Sequence, residues 1–267
     1  MLYIVGTPIG NIKEITLRAI EVLGSVDYIA AEDTRRTAIL LNEYDIKKPM
    51  ISYQKFNERA CSAKLIELLN SGKDVALVSD AGMPLISDPG HILTQELIKC
   101  GIAYTVIGGP CAMIDALILS GLSTDKFCML GFLPEKKSDR EKLLFEYKDV
   151  RCTLVFYSSV HNVDKDLGYL FDAYGDRSVA VVREISKMYE ETVRGKLGSP
   201  LDFVRKGEFV LVVEGAKEKD YSSLSVVEHY QTYIDQGLDK KEAIKKVASD
   251  RNVAKSEIYA IVVKGEN

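Results

Sequence analysis

Short apolar runs recur along the first half of the chain, and segments with helical spacing separate them. The runs are LYIVG (2–6), DYIAA (27–31), DVALVSD (74–80), AYTVIG (103–108) and FCMLGFLP (127–134). Strands that alternate with helices favour βαβ units and a parallel sheet. Apolar runs without polar alternation fit strands that are covered on both faces. The pattern predicts a first domain, residues 1–134, built on an open α/β sheet of these five strands.

A polar segment, EKKSDREK (135–142), marks the predicted boundary between two domains. Three further strands are predicted after it, at TLVFYSS (153–159), SVAVVRE (178–184) and EFVLVVEG (208–215). They define a second, smaller α/β domain over residues 135–216. Only helical spacing follows, at 225–236, 239–249 and 255–263, so residues 217–267 are predicted to form a small C-terminal helical segment.

Composition narrows the class of protein. The 35 basic and 39 acidic residues give a net charge of −4, which is not the strongly basic balance of a protein that coats nucleic acid. The five cysteines are odd in number and widely spaced, which argues against a disulfide framework and favours free thiols in the cytoplasm. No apolar run reaches the roughly 18 residues of a membrane span, so no membrane partner is expected.

Several common catalytic motifs are absent from the sequence. It contains no GxGxxG, no GxxxxGK[ST] and no GxSxG, so a dinucleotide fingerprint, a P-loop and a nucleophile elbow are excluded. The three histidines, His91, His161 and His229, lie far apart and lack metal-ligand spacing. We therefore expect chemistry without a metal centre.

Four glycine- and proline-rich loops each follow a predicted strand: GTPIGN (6–11), SDAGMPLISDPG (79–90), GGPCA (108–112) and GFLP (131–134). The carboxyl ends of parallel strands share one edge of a sheet, which is where ligands bind in open α/β folds. A single loop of this kind is usually only a tight turn. Four on one predicted edge favour a ligand site, in which Asp80 can accept hydrogen bonds from ammonium or hydroxyl groups.

Two charged segments have both a structural and a functional interpretation. AEDTRRT (31–37) places acids and arginines where a strand passes into a helix, and taken alone it is best read as a helix capped by Asp33 or Thr34. REISKMYEETVRG (183–195) follows a strand and reads either as an exposed connection with solvated ion pairs or as a charged wall of an interdomain cleft.

Together these stretches resemble the ribosomal RNA small-subunit methyltransferase I family, the cytidine 2′-O-methyltransferases of the tetrapyrrole methylase-like (class III) superfamily. The matching motifs occur in the family's order over about 210 residues: TPIGN (7–11), EITLRA (14–19), AEDTRRT (31–37), SDAGMPLISDPG (79–90), GGPCA (108–112), GFLP (131–134), REISKMYEE (183–191) and GEFVLVVEG (207–215). Three departures stand out, namely Met83 for a threonine, Cys111 for a serine, and YSSVHN (157–162) for a stretch like YESPHR.

The resemblance implies two open α/β domains with S-adenosyl-L-methionine in the cleft between them. By motif match the cofactor residues are Pro8, Asp80, Gly82, Met83, Pro110, Cys111, Ala112 and Tyr157. The implied reaction is an in-line displacement in which a ribose 2′-oxygen attacks the methyl group. A positioned carboxylate can take the hydroxyl proton, and Glu184 and Asp33 are the candidates for this role.

The implied substrate is a cytidine ribose in the ribosomal RNA of the small ribosomal subunit, held through its phosphates. The candidate cations near the cleft are Arg35, Arg36, Lys136, Lys137, Arg140 and Arg183, and the tail adds Lys240, Lys241, Lys245, Lys246 and Lys255. The family also suggests a homodimer, for which the apolar stretch ALILSGL (116–122) can supply interface surface, although a fully buried helix explains it equally well.

Two other functions remain open at this stage. A tetrapyrrole-precursor methyltransferase would share the cofactor loops, but a small substrate needs neither AEDTRRT nor the basic helical tail. A non-catalytic module that binds the cofactor and RNA is supported only by the altered segment 158–162.

Overall fold

The computed structural model describes residues 1–217, 221, 224–235 and 237–264, and the chain divides into two compact units, Met1–Ala216 and Lys217–Asn267. The strands are β1 (Leu2–Val5), β2 (Tyr28–Ala31), β3 (Met50–Ser52), β4 (Val75–Val78), β5 (Tyr104–Ile107), β6 (Phe127–Phe132), β7 (Thr153–Ser159), β8 (Ser178–Arg183), β9 (Glu191–Lys196) and β10 (Glu208–Val213). The helices are α1 (Leu17–Ser25), α2 (Thr34–Glu43), α3 (Glu58–Asn70), α4 (His91–Cys100), α5 (Ala112–Ser120), α6 (Lys137–Glu146), α7 (Val163–Tyr174), α8 (Val226–Asp235), α9 (Lys240–Asp250) and α10 (Lys255–Lys264).

The first sheet is parallel throughout and has the order β3-β2-β4-β1-β5. Residues of β1, β2 and β4 alternate between its two faces. One face packs against α1 and α2 through Val5, Ile29 and Val78, and the other packs against α3 and α4 through Ile4 and Leu77. Burial on both faces explains why these strands read as unbroken apolar runs.

The second sheet is mixed and has the order β6-β7-β10-β8-β9. Only β6 and β7 are parallel, and the other pairs are antiparallel. Helix α5 covers one face through Ala116 and Leu117, while α6 and α7 cover the other through Leu144 and Leu170. These two sheets with their covering helices confirm the predicted α/β fold class. The predicted domain boundaries at 134/135 and 216/217 stay predictions.

One of the five strands predicted for the first sheet is wrong. The run 127–134 was expected to close that sheet, but β6 pairs with β7 in the second sheet. The fifth strand of the first sheet is instead β3, which pairs with β2. A strand of three residues leaves too short an apolar run to be recognised, and nothing in the run 127–134 specifies which sheet it joins.

Two polar segments contain regular structure that the sequence analysis missed. Segment 135–142, expected as a boundary, includes the start of α6, whose Leu144 is buried under the second sheet. Segment 183–195, interpreted as an exposed connection or a cleft wall, includes β9, the edge strand beside β8. Edge strands are often polar on both faces, which hides them from an analysis of apolar runs.

The unit Lys217–Asn267 has its own core, formed by residues from α8, α9 and α10 such as Tyr230, Val247 and Ile258. The predicted helices at 225–236, 239–249 and 255–263 are confirmed within the described residues. Across the described ranges, no helix is both long and apolar enough to cross a membrane.

Two glycines bring the ends of β1 and β5 into backbone contact. A Cβ atom on Gly109 would lie 2.9 Å from both Cα and the carbonyl carbon of Gly6, which is closer than real Cβ contacts. Loop 79–90 joins them because the N–H of Thr7 donates to the carbonyl of Gly82 at 2.9 Å, and Gly82 N–H donates back at 3.1 Å. Three of the four predicted loops therefore meet at one edge of the first sheet.

Replacing Gly109 by alanine should lower the free energy of unfolding by about 1–3 kcal/mol, as expected for overpacking against backbone that cannot yield. Gly108→Ala is the matched control, because a Cβ there meets nothing within 4 Å. Its effect should stay within about 0.5 kcal/mol. Urea denaturation of the two variants checks this, and equal losses would contradict the close approach.

Candidate active site

The cavity that the predicted cofactor loops line, named the main cavity for that reason, lies at the carboxyl edge of the first sheet, where that edge faces β7 and β10 of the second sheet. Its volume is about 260 Å³. The first-sheet side contributes Ile9, Ala81, Gly82, Met83, Ile86, Ser87, Asp88, Cys111 and Ala112, and the second-sheet side contributes Phe132, Tyr157, Ser158, Ile185, Glu208, Phe209 and Val210. Five of the predicted cofactor residues thus surround one cavity, namely Gly82, Met83, Cys111, Ala112 and Tyr157.

Tyr157 is the main aromatic group in this wall. Its ring lies 5.5 Å from that of Phe132, centroid to centroid. Burial, with smaller contributions from Cys111 and Asp88, raises the pKa of Tyr157 to about 12. The phenol is therefore neutral at physiological pH and can donate a hydrogen bond into the cavity.

Segment 158–162, where the chain departs from the family pattern, begins with a buried side chain. Ser158 lines the main cavity and its hydroxyl lies 2.5 Å from a carboxyl oxygen of Asp166 on α7. Burial raises the pKa of Asp166 above its usual range. An acidic group is therefore still present behind Ser158, although it comes from the following helix.

A second cavity of about 300 Å³ adjoins the first and shares Ile9, Ala81 and Glu208 with it. It is lined by further residues of the first-sheet loops and α2, together with one lysine: Thr7, Pro8, Gly10, Ile12, Arg36, Thr37, Ile39, Leu40, Ser79, Asp80 and Lys187. Pro8 and Asp80, predicted as cofactor residues, lie here rather than in the main cavity. Pro110 lines neither cavity, and its carbonyl oxygen approaches Gly82.

Asp33, one of the two predicted catalytic carboxylates, is bound by its own helix. It caps α2 by accepting from the N–H of Arg35 at 2.9 Å. The guanidinium of Arg35 also donates to it, through Nε at 3.0 Å and through a second nitrogen at 2.7 Å. These hydrogen bonds hold the pKa of Asp33 far below its usual range. A carboxylate stabilised in this way has little tendency to accept a proton.

Glu184, the other predicted catalytic carboxylate, is also paired. Its backbone is left-handed, with φ of +50°, and its Oε1 accepts from Lys187 Nζ and from the N–H of Glu208, both at 2.9 Å. Burial works against the charged form, but these hydrogen bonds outweigh it and lower the pKa of Glu184. Glu184 lines neither cavity, whereas Lys187 and Glu208 line the second one.

Asp88 is the carboxyl group that the sequence analysis overlooked. It lines the main cavity and follows Leu85 and Ser87, two residues with left-handed backbone at φ of +72° and +68°. Burial, together with the negative charges of Glu32 and Asp80, raises the pKa of Asp88 to about 6, although a hydrogen bond with Ser79 opposes the rise. The only signal available in the sequence was a second aspartate within the loop 79–90.

Glu32 is a further carboxyl group with a perturbed pKa beside this loop. Burial and the charge of Asp80 raise its pKa, while Arg36 opposes the rise. Asp80 itself accepts from the N–H of Asp33 at 2.9 Å and lies 3.4 Å from the guanidinium of Arg36. The ends of β2 and β4 therefore place three carboxyl groups, Glu32, Asp80 and Asp88, close enough to repel one another.

The predicted RNA-binding cations near the cleft fall into two groups. Arg35 and Arg36 are exposed at the start of α2, and Lys136 and Lys137 are exposed at the start of α6. Arg183, in contrast, is only 8% exposed and donates to Glu191 at 2.8 Å, which ties β9 to β8.

Arg140 is engaged within its own part of the fold. It donates to the carbonyl oxygens of Pro134 and Glu135 and lies over the ring of Tyr169, 3.8 Å from its centroid. An RNA contact by Arg140 or by Arg183 would require these pairs to open. Lys187, which the sequence analysis did not select, is the cation that lines the second cavity together with Arg36.

No metal site is found within the described part of the chain, where no group of three His, Cys, Asp or Glu residues is arranged to hold an ion. The main cavity instead has the mixed character that suits an adenosyl sulfonium compound. Its walls are apolar at Ile9, Ala112 and Val210, which suits a purine ring, and Asp88 supplies an acidic group that suits a cation or a hydroxyl group.

Comparison with known proteins agrees with this geometry. Residues 1–201 match the family model of the tetrapyrrole (corrin/porphyrin) methylases. Ribosomal RNA small subunit methyltransferase I of Halalkalibacterium halodurans is 47% identical over 97% of this chain and 93% of that protein. The enzyme of the same name from Bacillus subtilis is 42% identical over 97% of this chain and 92% of its own. The crystal structure of the methyltransferase CobJ superposes with a TM-score of 0.63 at 17% identity, covering 80% of this chain and 94% of that one.

The chain therefore belongs to the tetrapyrrole methylases and, within them, to the ribosomal RNA small subunit methyltransferase I family. It is a methyltransferase whose methyl donor is S-adenosyl-L-methionine, as the resemblance in the sequence implied. The roles of individual residues at the site stay predictions.

Proposed function

We propose that this chain transfers a methyl group from S-adenosylmethionine to the ribose 2′-oxygen of a cytidine in the ribosomal RNA of the small subunit. The observation that carries the proposal is a pair of adjoining cavities at one sheet edge. The cofactor loops line one of them, and the other is lined by the cations Arg36 and Lys187 beside the acids Asp80 and Glu208. The names of the relatives, at 42–47% identity over nearly the whole chain, support the choice of substrate.

The main cavity is proposed to hold the methyl donor through Gly82, Met83, Cys111, Ala112 and Tyr157. When bound, S-adenosylmethionine supplies an electrophilic methyl group. The loops at Gly82 and Ala112 approach the ligand through backbone, and this explains why Met83 and Cys111 are tolerated where the family has threonine and serine. Pro8, Asp80 and Pro110, predicted for the same role, lie toward the second cavity or behind the loops.

The second cavity is proposed to receive the target nucleotide. Arg36 and Lys187 can contact phosphate oxygens, while Ile12 and Leu40 offer an apolar surface to a base. Lys187 is held between Glu184 and Glu208, at 2.9 and 2.8 Å, so its ammonium group is positioned before any RNA arrives. In this assignment Glu184 positions a cation rather than accepting a proton.

Asp88 is proposed as the group that accepts the proton of the 2′-hydroxyl. It faces the main cavity, and among the described residues no cation is paired with it, in contrast to Asp33 and Glu184. A general base works best when its pKa lies near the operating pH, and burial brings Asp88 to about 6. Alignment of the two reactants by the adjoining cavities supplies the rest of the rate enhancement.

A homodimer is proposed from apolar surface that the fold leaves exposed. Helix α5 is apolar on nearly all sides, yet Ile118 is 65% exposed. Strand β5, which precedes it, is an edge strand with exposed Tyr104 and Val106. Exposed apolar surface of this kind is typical of protein interfaces. We place the proposed activity in the cytoplasm, where its ribosomal substrate resides.

Methyl transfer to isolated small ribosomal subunits tests the substrate. With labelled S-adenosylmethionine, the purified chain should label the subunit RNA, and the labelled nucleotide should resist alkaline cleavage, because a 2′-O-methyl group blocks attack on the adjacent phosphate. Methylation of a porphyrinoid instead of RNA would favour a tetrapyrrole-precursor methyltransferase. Binding of donor and RNA without any transfer would favour a non-catalytic module.

Replacing Asp88 by asparagine should lower kcat by roughly 10²–10⁴-fold, the usual contribution of a general base. The wild-type kcat should rise as pH increases through about 6, since the base form is the carboxylate, and the variant should lose this limb. Glu32→Gln is the matched control. It removes a neighbouring negative charge, so it should shift the midpoint of the limb to lower pH while kcat at pH 8 stays within a few-fold.

Calorimetry with the methyl donor completes this test. Asp88→Asn should bind the donor with nearly wild-type affinity. The fold should be no less stable above pH 6, because a carboxylate with a raised pKa costs stability once it ionises. Lost donor binding would assign Asp88 to the cofactor instead.

Replacing Ile118 by lysine should convert the dimer into a monomer, because a charge would be buried at the interface. Phe145→Lys serves as control, since Phe145 is 81% exposed on α6, at the opposite face of the second sheet. Light scattering at micromolar protein measures both masses. A wild-type monomer, or a dimer that survives Ile118→Lys, would refute this interface.

A further inference from the structure

In the unit Lys217–Asn267, a short turn joins helix α9 to helix α10. Helices α9 and α10 are separated by residues 251–254, and Asn252 in this turn has left-handed backbone at φ of +51°. Arg251 fixes the turn by donating to Nδ1 of His229 at 3.1 Å and to the carbonyl oxygens of Tyr221 and Ser225, both at 3.1 Å. Two helices joined by a turn of three or four residues are a recurrent nucleic-acid-binding arrangement.

A groove of about 800 Å³ runs along α9 and α10 in this unit. Tyr230, Ile244 and Val262 form its apolar part. Its polar lining consists of four lysines, one glutamate, one serine and one tyrosine: Lys240, Lys241, Glu242, Lys245, Lys255, Ser256 and Tyr259. Tyr259 is 57% exposed.

The groove is positively charged in a chain whose net charge is negative. Within the described residues, Lys241, Lys245 and Lys255 form no ion pair. Glu242 is the one acid in the lining, against four lysines. Two other acids of this unit have partners away from the groove: Asp239 caps α9 by accepting from the N–H of Glu242 at 2.8 Å, and Asp250 accepts from the hydroxyl of Tyr233. The lysines therefore present their charge to the solvent.

We propose that the α9–α10 groove binds the phosphate backbone of RNA. Lysines on both helices match the negative charge of a phosphate backbone, and Tyr259 provides a surface on which an unpaired base can stack. The inference deepens the proposed function, because it assigns a second contact with the RNA substrate that lies outside the two cavities.

The test replaces Lys241, Lys245 and Lys255 together by glutamine in the full chain. The control replaces Lys47, Lys55 and Lys64 in the same way, which removes equal charge from exposed lysines that do not line the groove. Affinity for a deproteinised small-subunit RNA and its dependence on salt are measured for both. The groove variant should bind at least about tenfold more weakly, and its salt slope should fall by about one per lysine.

Two further readouts separate this proposal from the function on which it rests. The donor affinity and the kcat at saturating small subunits should equal those of the wild type, since neither cavity is altered. If the wild type methylates small subunits and the groove variant binds RNA as tightly as the wild type, the groove proposal is wrong and the proposed function stands. If the groove variant binds RNA more weakly but the wild type methylates no subunits, the proposed function is wrong and the groove proposal stands.

A third result would point to a different partner. If the groove variant lost affinity for intact subunits but bound deproteinised RNA as the wild type does, the groove would bind a ribosomal protein and the proposal would be wrong. Circular dichroism of the variant checks that the helices are intact, and Lys→Arg replacements at the same positions should restore binding.

Discussion

The contact between two glycine backbones, at the ends of β1 and β5, is the constraint on which the site depends. A side chain at Gly6 or Gly109 would occupy the space of the other loop. Because neither is present, the two loops meet, and the pairing of Thr7 with Gly82 adds the third loop to them. Helix α5 then starts directly after the contact and packs against the second sheet, so the cavity forms where the two sheets face each other.

Carboxyl side chains at this edge of the sheet have pKa values that are shifted in opposite directions. Asp33 and Glu184 are stabilised as anions by cations and by backbone N–H groups, which lowers their pKa values. Asp88 is buried and lies near two other carboxylates, so its pKa rises although it receives one hydrogen bond. Paired carboxylates hold cations and helix ends in place, whereas the unpaired one remains available for proton transfer.

The parallel topology made much of the site predictable from the sequence. Apolar runs followed by glycine-rich loops fix the edge of the sheet at which the loops lie, whichever order the strands adopt. The order itself was not predictable. Strand β3 is too short to leave a pattern, β9 is a polar edge strand, and the run 127–134 fits either sheet equally well.

Side-chain partnerships across the fold account for what the sequence could not reveal. The pKa of Asp88 depends on its burial and on the charges of Glu32 and Asp80. Asp80 lies in the same loop, but Glu32 follows β2 and comes close only through the pairing of β2 with β4. Arg183 sits in a motif rich in charge, but only the register of β8 with β9 shows that it is buried against Glu191. Local composition identifies charged residues without showing which of them remain free.

The central claim is that the cavity between the two sheets holds the methyl donor. A crystal structure with S-adenosylhomocysteine, the demethylated product, tests it most directly. We predict that the product lies in contact with Met83 and Tyr157, with Asp88 facing the same cavity. Product bound only among Pro8, Arg36 and the other residues of the second cavity would contradict this assignment.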